Sequence, residues 1–120
     1  MAKFMLILHQ KPGSWQRLSP EELQRKVALY QGWVAKFRSS GRYVSGEKLG
    51  EDGGKLLTLQ SGRTTIVDGP YTESKEVVGG YFLFRAANYE EAVELVGDCP
   101  FLHDGKVAVR QTDPAGCGGE

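Results

Sequence analysis

Apolar side chains alternate with one another, not with polar ones, along the first strand predicted here, Lys3 to His9. Phe4, Leu6 and Leu8 point one way and Met5, Ile7 and His9 the other, because successive side chains of a strand face opposite sides. A strand apolar on both faces needs cover on both. A loop from Gln10 to Leu18 follows and contains Pro12, Gly13 and Trp15. The spacing then changes to that of a helix. Leu23, Val27, Tyr30, Val34 and Phe37 form one apolar stripe. Its start is signed by Ser19 as N-cap, Pro20 at the first helical position and Glu22 as the return half of a capping box. Leu18 and Leu23 fit a hydrophobic staple across that start, and Gly41 supplies a left-handed stop.

Short strands are predicted next at Tyr43–Glu47, Lys55–Gln60 and Arg63–Val67, with turns at Gly50–Gly54 and Ser61-Gly62 between them. Asp68-Gly69-Pro70 breaks the last of these, and Thr72–Val78 has room for one helical turn. Gly79-Gly80 opens a strand at Tyr81–Arg85. A second helix begins at Asn88, with Glu91 three residues on and Ala92, Val93, Leu95 and Val96 as its apolar side; Gly97 and Pro100 stop it. The final strand is Lys106–Gln111. The reading is a single domain over residues 1–112 with a flexible tail over 113–120.

The order is α+β: a βαββαβ, ferredoxin-like arrangement with extra strands in the middle and two helices on one face of an antiparallel sheet. Two helices cover one face only. The two-sided strands therefore call for a second cover, and a second copy of the chain supplies it at least cost, as a two-fold pair with sheet facing sheet.

Length and composition agree with this. A chain of 120 residues that is 40% hydrophobic and 25% charged suits one core. Fifteen basic residues balance fifteen acidic ones, so no net field draws nucleic acid or an anionic membrane. The longest apolar run near the N-terminus, Phe4–Leu8, is too short for a membrane span or a secretory core, which points to the cytoplasm. Cys99 and Cys117 match no metal or redox spacing, so neither a metal nor a cofactor is expected. Cys99, beside Pro100, reads as a packed thiol.

Several segments resemble one known family when taken together. They are Lys3–His9, Leu18-Ser19-Pro20-Glu21-Glu22, Gly41–Glu47, and above all Val67-Asp68-Gly69-Pro70-Tyr71-Thr72-Glu73-Ser74-Lys75-Glu76 running on to Gly79-Gly80-Tyr81-Phe82; Cys99-Pro100 and Val107–Arg110 close the pattern. The chain resembles the YCII-related family, in the branch named for its D-G-P-F segment, with Tyr71 where Phe is commoner. The resemblance implies a dimeric α+β barrel. It also implies kinship with small enzymes of aromatic breakdown such as dehydrochlorinases, an acid–base His–Asp pair in a cleft, and for some members an association with extracytoplasmic-function sigma factors.

The candidate chemistry follows. His9 ends a strand on the face assigned to the barrel interior and can act as a general base near neutral pH. Asp68 fits two roles: a carboxylate that orients that base, or a turn residue accepting local N–H bonds. Trp15, Tyr71, Glu73, Lys75 and Tyr81 are the candidate ligand-binding residues, with Tyr71 or Lys75 placed to stabilise developing negative charge. Trp33, beside the helix stripe, reads as core or interface packing. His103 sits in a surface turn and ranks below His9. The expected function is small-molecule binding, with cofactor-free isomerisation or elimination; the alternative is a non-catalytic sensor or regulator linked to a sigma factor.

Overall fold

A computed structural model describes residues 1–69 and 76–114. The elements run in the order β1 (Ala2–Gln10), α1 (Pro20–Ser39), β2 (Tyr43–Lys48), β3 (Lys55–Gln60), β4 (Arg63–Asp68), β5 (Val77–Ala86), α2 (Tyr89–Val96), a short 3-10 turn (Pro100–His103) and β6 (Gly105–Gln111). Four strands form an antiparallel sheet in the order β2-β5-β1-β6. With the hairpin set aside, this is the strand order of a ferredoxin-like βαββαβ unit. β3 and β4 pair only with each other, as a separate two-stranded sheet.

The capping signals work as their chemistry demands. The Ser19 hydroxyl accepts from the Glu22 N–H at 3.1 Å, and the Glu22 carboxylate accepts from the Ser19 N–H at 2.9 Å. Those bonds to the charged form, backbone first, hold the Glu22 carboxyl below its usual range. Gly41 adopts φ +74° and ends the helix as a left-handed residue. At α2 the Asn88 side chain accepts from the Glu91 N–H. Glu91 does not return to the cap residue. It accepts from the Ala87 N–H at 2.7 Å and pairs with Arg42 at 2.9 Å, and so joins the helix start to the entrance of β2.

The core lies between one sheet face and the helices. Phe4, Leu6 and Leu8 of β1 and Phe82 and Phe84 of β5 meet Trp33, Val34 and Phe37 of α1 and Ala92 and Val96 of α2. The Phe37 and Phe82 rings pack edge to face with centroids 4.9 Å apart, a geometry aromatic quadrupoles favour. The Trp33 indole N–H donates to Asp98 at 2.9 Å, which satisfies the polar edge of a buried ring.

Two expectations are corrected. The stripe of α1 is buried only in its C-terminal half; Leu23 and Val27 stay exposed, because the N-terminal half meets the 3-10 turn and not the sheet. The helical turn predicted over Thr72–Val78 does not reach its end: Val77 and Val78 already belong to β5, paired with Gln10 and His9. Glu76 belongs to no element, and Thr72–Lys75, with Pro70 and Tyr71 of the motif, lie outside the described residues.

Candidate functional site

β1 ends beside the start of β5 at the mouth of a cleft of about 320 Å³. Its wall combines Gln10, the Pro12-Gly13 turn, the Leu49–Gly54 connection and Val77–Gly79. Gln10 is the unusual member. It is 1% exposed, the only buried polar residue on the core side among the described residues, and its Oε1 has no hydrogen-bond partner. An unsatisfied buried amide oxygen costs on the order of 1–3 kcal/mol, so such a group marks a place where a donor belongs.

The local sequence explains how Gln10 gets there. Register shifts by one residue between Leu8 and His9, where Leu8 faces Gly80 and His9 faces Val78. Gly79 is the extra residue of this bulge. A Cβ at Gly79 would lie 2.4 Å from the Gln10 Cδ, so a glycine there makes the room that the amide occupies. Gly80 is similarly pressed, against the Glu47 carbonyl oxygen at 2.9 Å. The Gly79-Gly80 pair thus serves close approach and not phosphate binding.

On the helix side, Trp15 packs on Phe101 and carries two ammonium groups near its ring. Lys48 Nζ lies 4.8 Å and Lys26 Nζ 5.9 Å from its centroid. Lys26 also pairs with Asp104. Burial pushes the Lys48 amine below its usual range, with Glu51 and Asp104 opposing that shift. The Trp15 Nε1 and the Glu51 Oε2 are both buried without a partner. Desolvation raises the Tyr30 hydroxyl far above its usual range, so it stays a neutral phenol.

The other expected residues are spread over the fold. His9 is half-buried on the sheet face that the helices leave bare, with Lys106 and Val78 as its register partners. Its cross-strand partner Val78 lines the cleft, whereas His9 is not in the cleft wall and faces the side opposite Gln10. Asp68 ends β4 at the root of the hairpin, is largely exposed and pairs with Lys55. No hydrogen bond or ion pair among the described residues joins His9 to Asp68. Tyr81 lies on the bare face opposite Ile7 and Glu47. Trp15 is on the helix side, and Trp33 is core. Tyr71, Glu73 and Lys75 lie outside the described residues. Cys99 is buried, and its thiol is pushed up to about 11 by that burial, which makes it a packed side chain and not a nucleophile. His103 is exposed at the end of the 3-10 turn.

No helix among the described residues is long and apolar enough to cross a membrane. No group of three or more His, Cys, Asp or Glu is gathered at metal-binding distance among them.

A sheet with this strand order, helices on one face and a cleft at the β1–β5 end, defines a small ferredoxin-like α+β protein. The YCII-related domain family matches residues 2–114, nearly the whole chain, and the protein belongs to that family. An uncharacterised protein of Rhizobium meliloti (strain 1021) is 26% identical over 92 residues, covering 71% of this chain and 67% of that one. Among solved structures, the chain is similar to the 5-chloro-2-hydroxyhydroquinone dehydrochlorinase of Burkholderia phenoliruptrix AC1100, determined in complex with 2,5-dihydroxybenzoquinone. That likeness has a TM-score of 0.54 and 16% identity, covers 98% of this chain and 99% of the other, and is a likeness of fold.

Proposed function

We propose that this protein binds a small, neutral organic molecule carrying a hydroxyl or similar donor in the Gln10 cleft. The observation that carries this reading is the buried, unpartnered Gln10 Oε1 in the wall of a cleft of about 320 Å³. That volume is at the lower end of the range for small-molecule sites. Among the described residues the wall holds Glu51 and Asp52 and no cationic side chain, which favours a neutral ligand over an anionic one. The hydroxylated quinone bound by the structural neighbour is a compound of the same general size and donor character.

A catalytic extension uses proton transfer without a cofactor. His9, cross-strand from the cleft residue Val78, takes a proton from the bound ring. The electron pair moves into the ring and then either collects a proton at another carbon or expels a leaving anion. Asp68 orients the base once the two are brought together. The sheet face that carries His9 is closed in this reading by a second copy of the chain, sheet against sheet.

The test separates binding from chemistry. A library of neutral dihydroxy-aromatic compounds is screened by amide chemical shifts. A binder is expected to shift Gln10 and Gly79, and Gln10→Leu is expected to weaken it at least about tenfold, the loss of one buried hydrogen bond. His9→Gln and Asp68→Asn are expected to abolish turnover and leave affinity within about twofold, since proton transfer alone supplies 10²–10⁴-fold in rate. Binders that shift only distant residues, or that ignore Gln10→Leu, contradict the cleft. Full turnover in both dyad variants contradicts the chemistry and leaves the cleft standing.

A further inference from the structure

The core side of β2 carries a gap. Tyr43, Gly46 and Lys48 lie opposite Phe84, Phe82 and Gly80, and so share the sheet face that α1 covers; a register shift between Tyr43 and Ser45 keeps them in one row. Gly46 brings no side chain to that row. Even a Cβ there would press on the Phe82 ring at 3.1 Å, so the position stays open only as glycine. Between β2 and α1 lies a pocket of about 410 Å³, within the range of small-molecule sites. Phe82, 1% exposed, forms its apolar base, and Tyr30 and Tyr43 stand in its walls. The pocket shares no lining residue with the Gln10 cleft.

Its charges are also unlike those of the cleft. Arg38 and Lys48 both line it. The Arg38 guanidinium carbon lies 4.0 Å from the centroid of the Tyr43 ring, a stacking that holds the planar fork in place. Lys48 donates to the Leu49 carbonyl at 3.1 Å and lies beside Trp15. Lys26, Lys36, Arg42, Lys55 and Lys106 each have a carboxylate partner. Among the described residues Arg38 and Lys48 have none. Glu47, the acidic residue of the wall, sits opposite Tyr81 and so alternates to the other face of the sheet. Burial holds the Lys48 amine below its usual range against the pull of Glu51 and Asp104, so an anion beside it relieves an under-compensated charge. The Tyr30 hydroxyl makes no hydrogen bond among the described residues, and burial keeps it a neutral phenol, able to donate.

We infer that this pocket is a second ligand site, and that it takes a flat aromatic molecule with an acid group at each end, an aryl dicarboxylate. The ring lies on Phe82 in the gap left by Gly46, between the two tyrosines. One carboxylate accepts from the paired N–H groups of Arg38, the other from Lys48 and the Tyr30 hydroxyl. Two acid groups are needed because Tyr43, under Arg38, and Lys48 are five residues apart, about 15 Å along a strand, too far for one carboxylate to join both cations. This site goes beyond the Gln10 cleft and does not depend on it: the cleft wall is acidic, and this one is cationic and aromatic.

The experiment is calorimetric titration of the full chain with terephthalate, benzoate and the neutral terephthalamide. Terephthalate is expected to bind, benzoate about tenfold more weakly and terephthalamide at least about 100-fold more weakly, as one and then both charge-assisted contacts are lost. Arg38→Gln and Lys48→Gln are each expected to weaken terephthalate at least about tenfold. A second measurement needs no variant. Terephthalate added to isotope-labelled wild type is expected to shift the Gly46 and Phe82 amides and to leave those of Gln10 and Gly79 in place. Absence of terephthalate binding at millimolar concentration overturns the inference. So does equal affinity for terephthalamide, indifference to both substitutions, or a shift at Gln10 and Gly79 in place of Gly46 and Phe82.

Discussion

Leu6 and Leu59 both sit in antiparallel ladders, in segments of similar apolar content, and their environments are opposite. Leu6 is fully buried between Phe82 of β5 and the helices, whereas Leu59 is 73% exposed on the hairpin. The ladder bonds are of one kind in both places. The difference is what lies on the faces. β1 has a strand on each side and an aromatic layer of Trp33, Phe37, Phe82 and Phe84 over one face. Among the described residues β3 and β4 have each other and solvent. Backbone pairing therefore sets the shape of each region, and burial decides which can stand alone.

The comparison is broken most severely by removing the aromatic layer. Phe82→Ala is expected to cost about 3–5 kcal/mol in urea unfolding, the usual range for a buried aromatic. Leu59→Ala in a dilute sample is expected to stay within about 0.5 kcal/mol, as an exposed substitution does. Near equality of the two would erase the distinction. A smaller effect sharpens it within the helical layer. Ser19→Ala removes one half of the capping box and is expected to cost about 1 kcal/mol.

The smallest effects are pH-dependent. The Lys36 ammonium first, then the Trp33 N–H, hold the Asp98 carboxyl below its ordinary value of 3.8. A lowered folded value means that this stabilisation is present above about pH 3.8 and is lost as pH falls through the lower folded value. Asp98→Asn is expected to flatten that acid limb of the stability curve slightly, since the carboxylate is largely exposed. Cys99 gives the opposite sign. Its folded value of about 11 lies above the ordinary 9.0, so its contribution is full below pH 9.0 and is lost as pH rises towards 11. Iodoacetamide is expected to label Cys99 at neutral pH only after urea unfolding.

Much of the fold was legible because its signals are local. Ser19, Pro20 and Glu22 act within one helical turn, Gly41 supplies a backbone angle, and the two-sided pattern of β1 marks a central strand. The residues of α1 that stay exposed were not legible, because helical spacing says which side chains share a face and not how far the sheet extends beneath them. Gln10 was missed for a related reason. A polar residue at the end of an apolar run reads as the first residue of a loop, and only the bulge at Gly79, nearly seventy positions away, turns it into the wall of a cleft. The adjacent glycines were the one available signal. His9 was placed correctly on the side away from Phe4 and Leu8; its distance from Asp68 depends on where the hairpin root lies, which no periodicity encodes.

The most direct measurement is native-state amide hydrogen exchange in a dilute sample of the wild type, comparing β3 and β4 with β1 and β5. The account predicts that β3 and β4 amides exchange at least about tenfold faster than those of β1 and β5. Hairpin amides as well protected as those of β1 and β5 would contradict it.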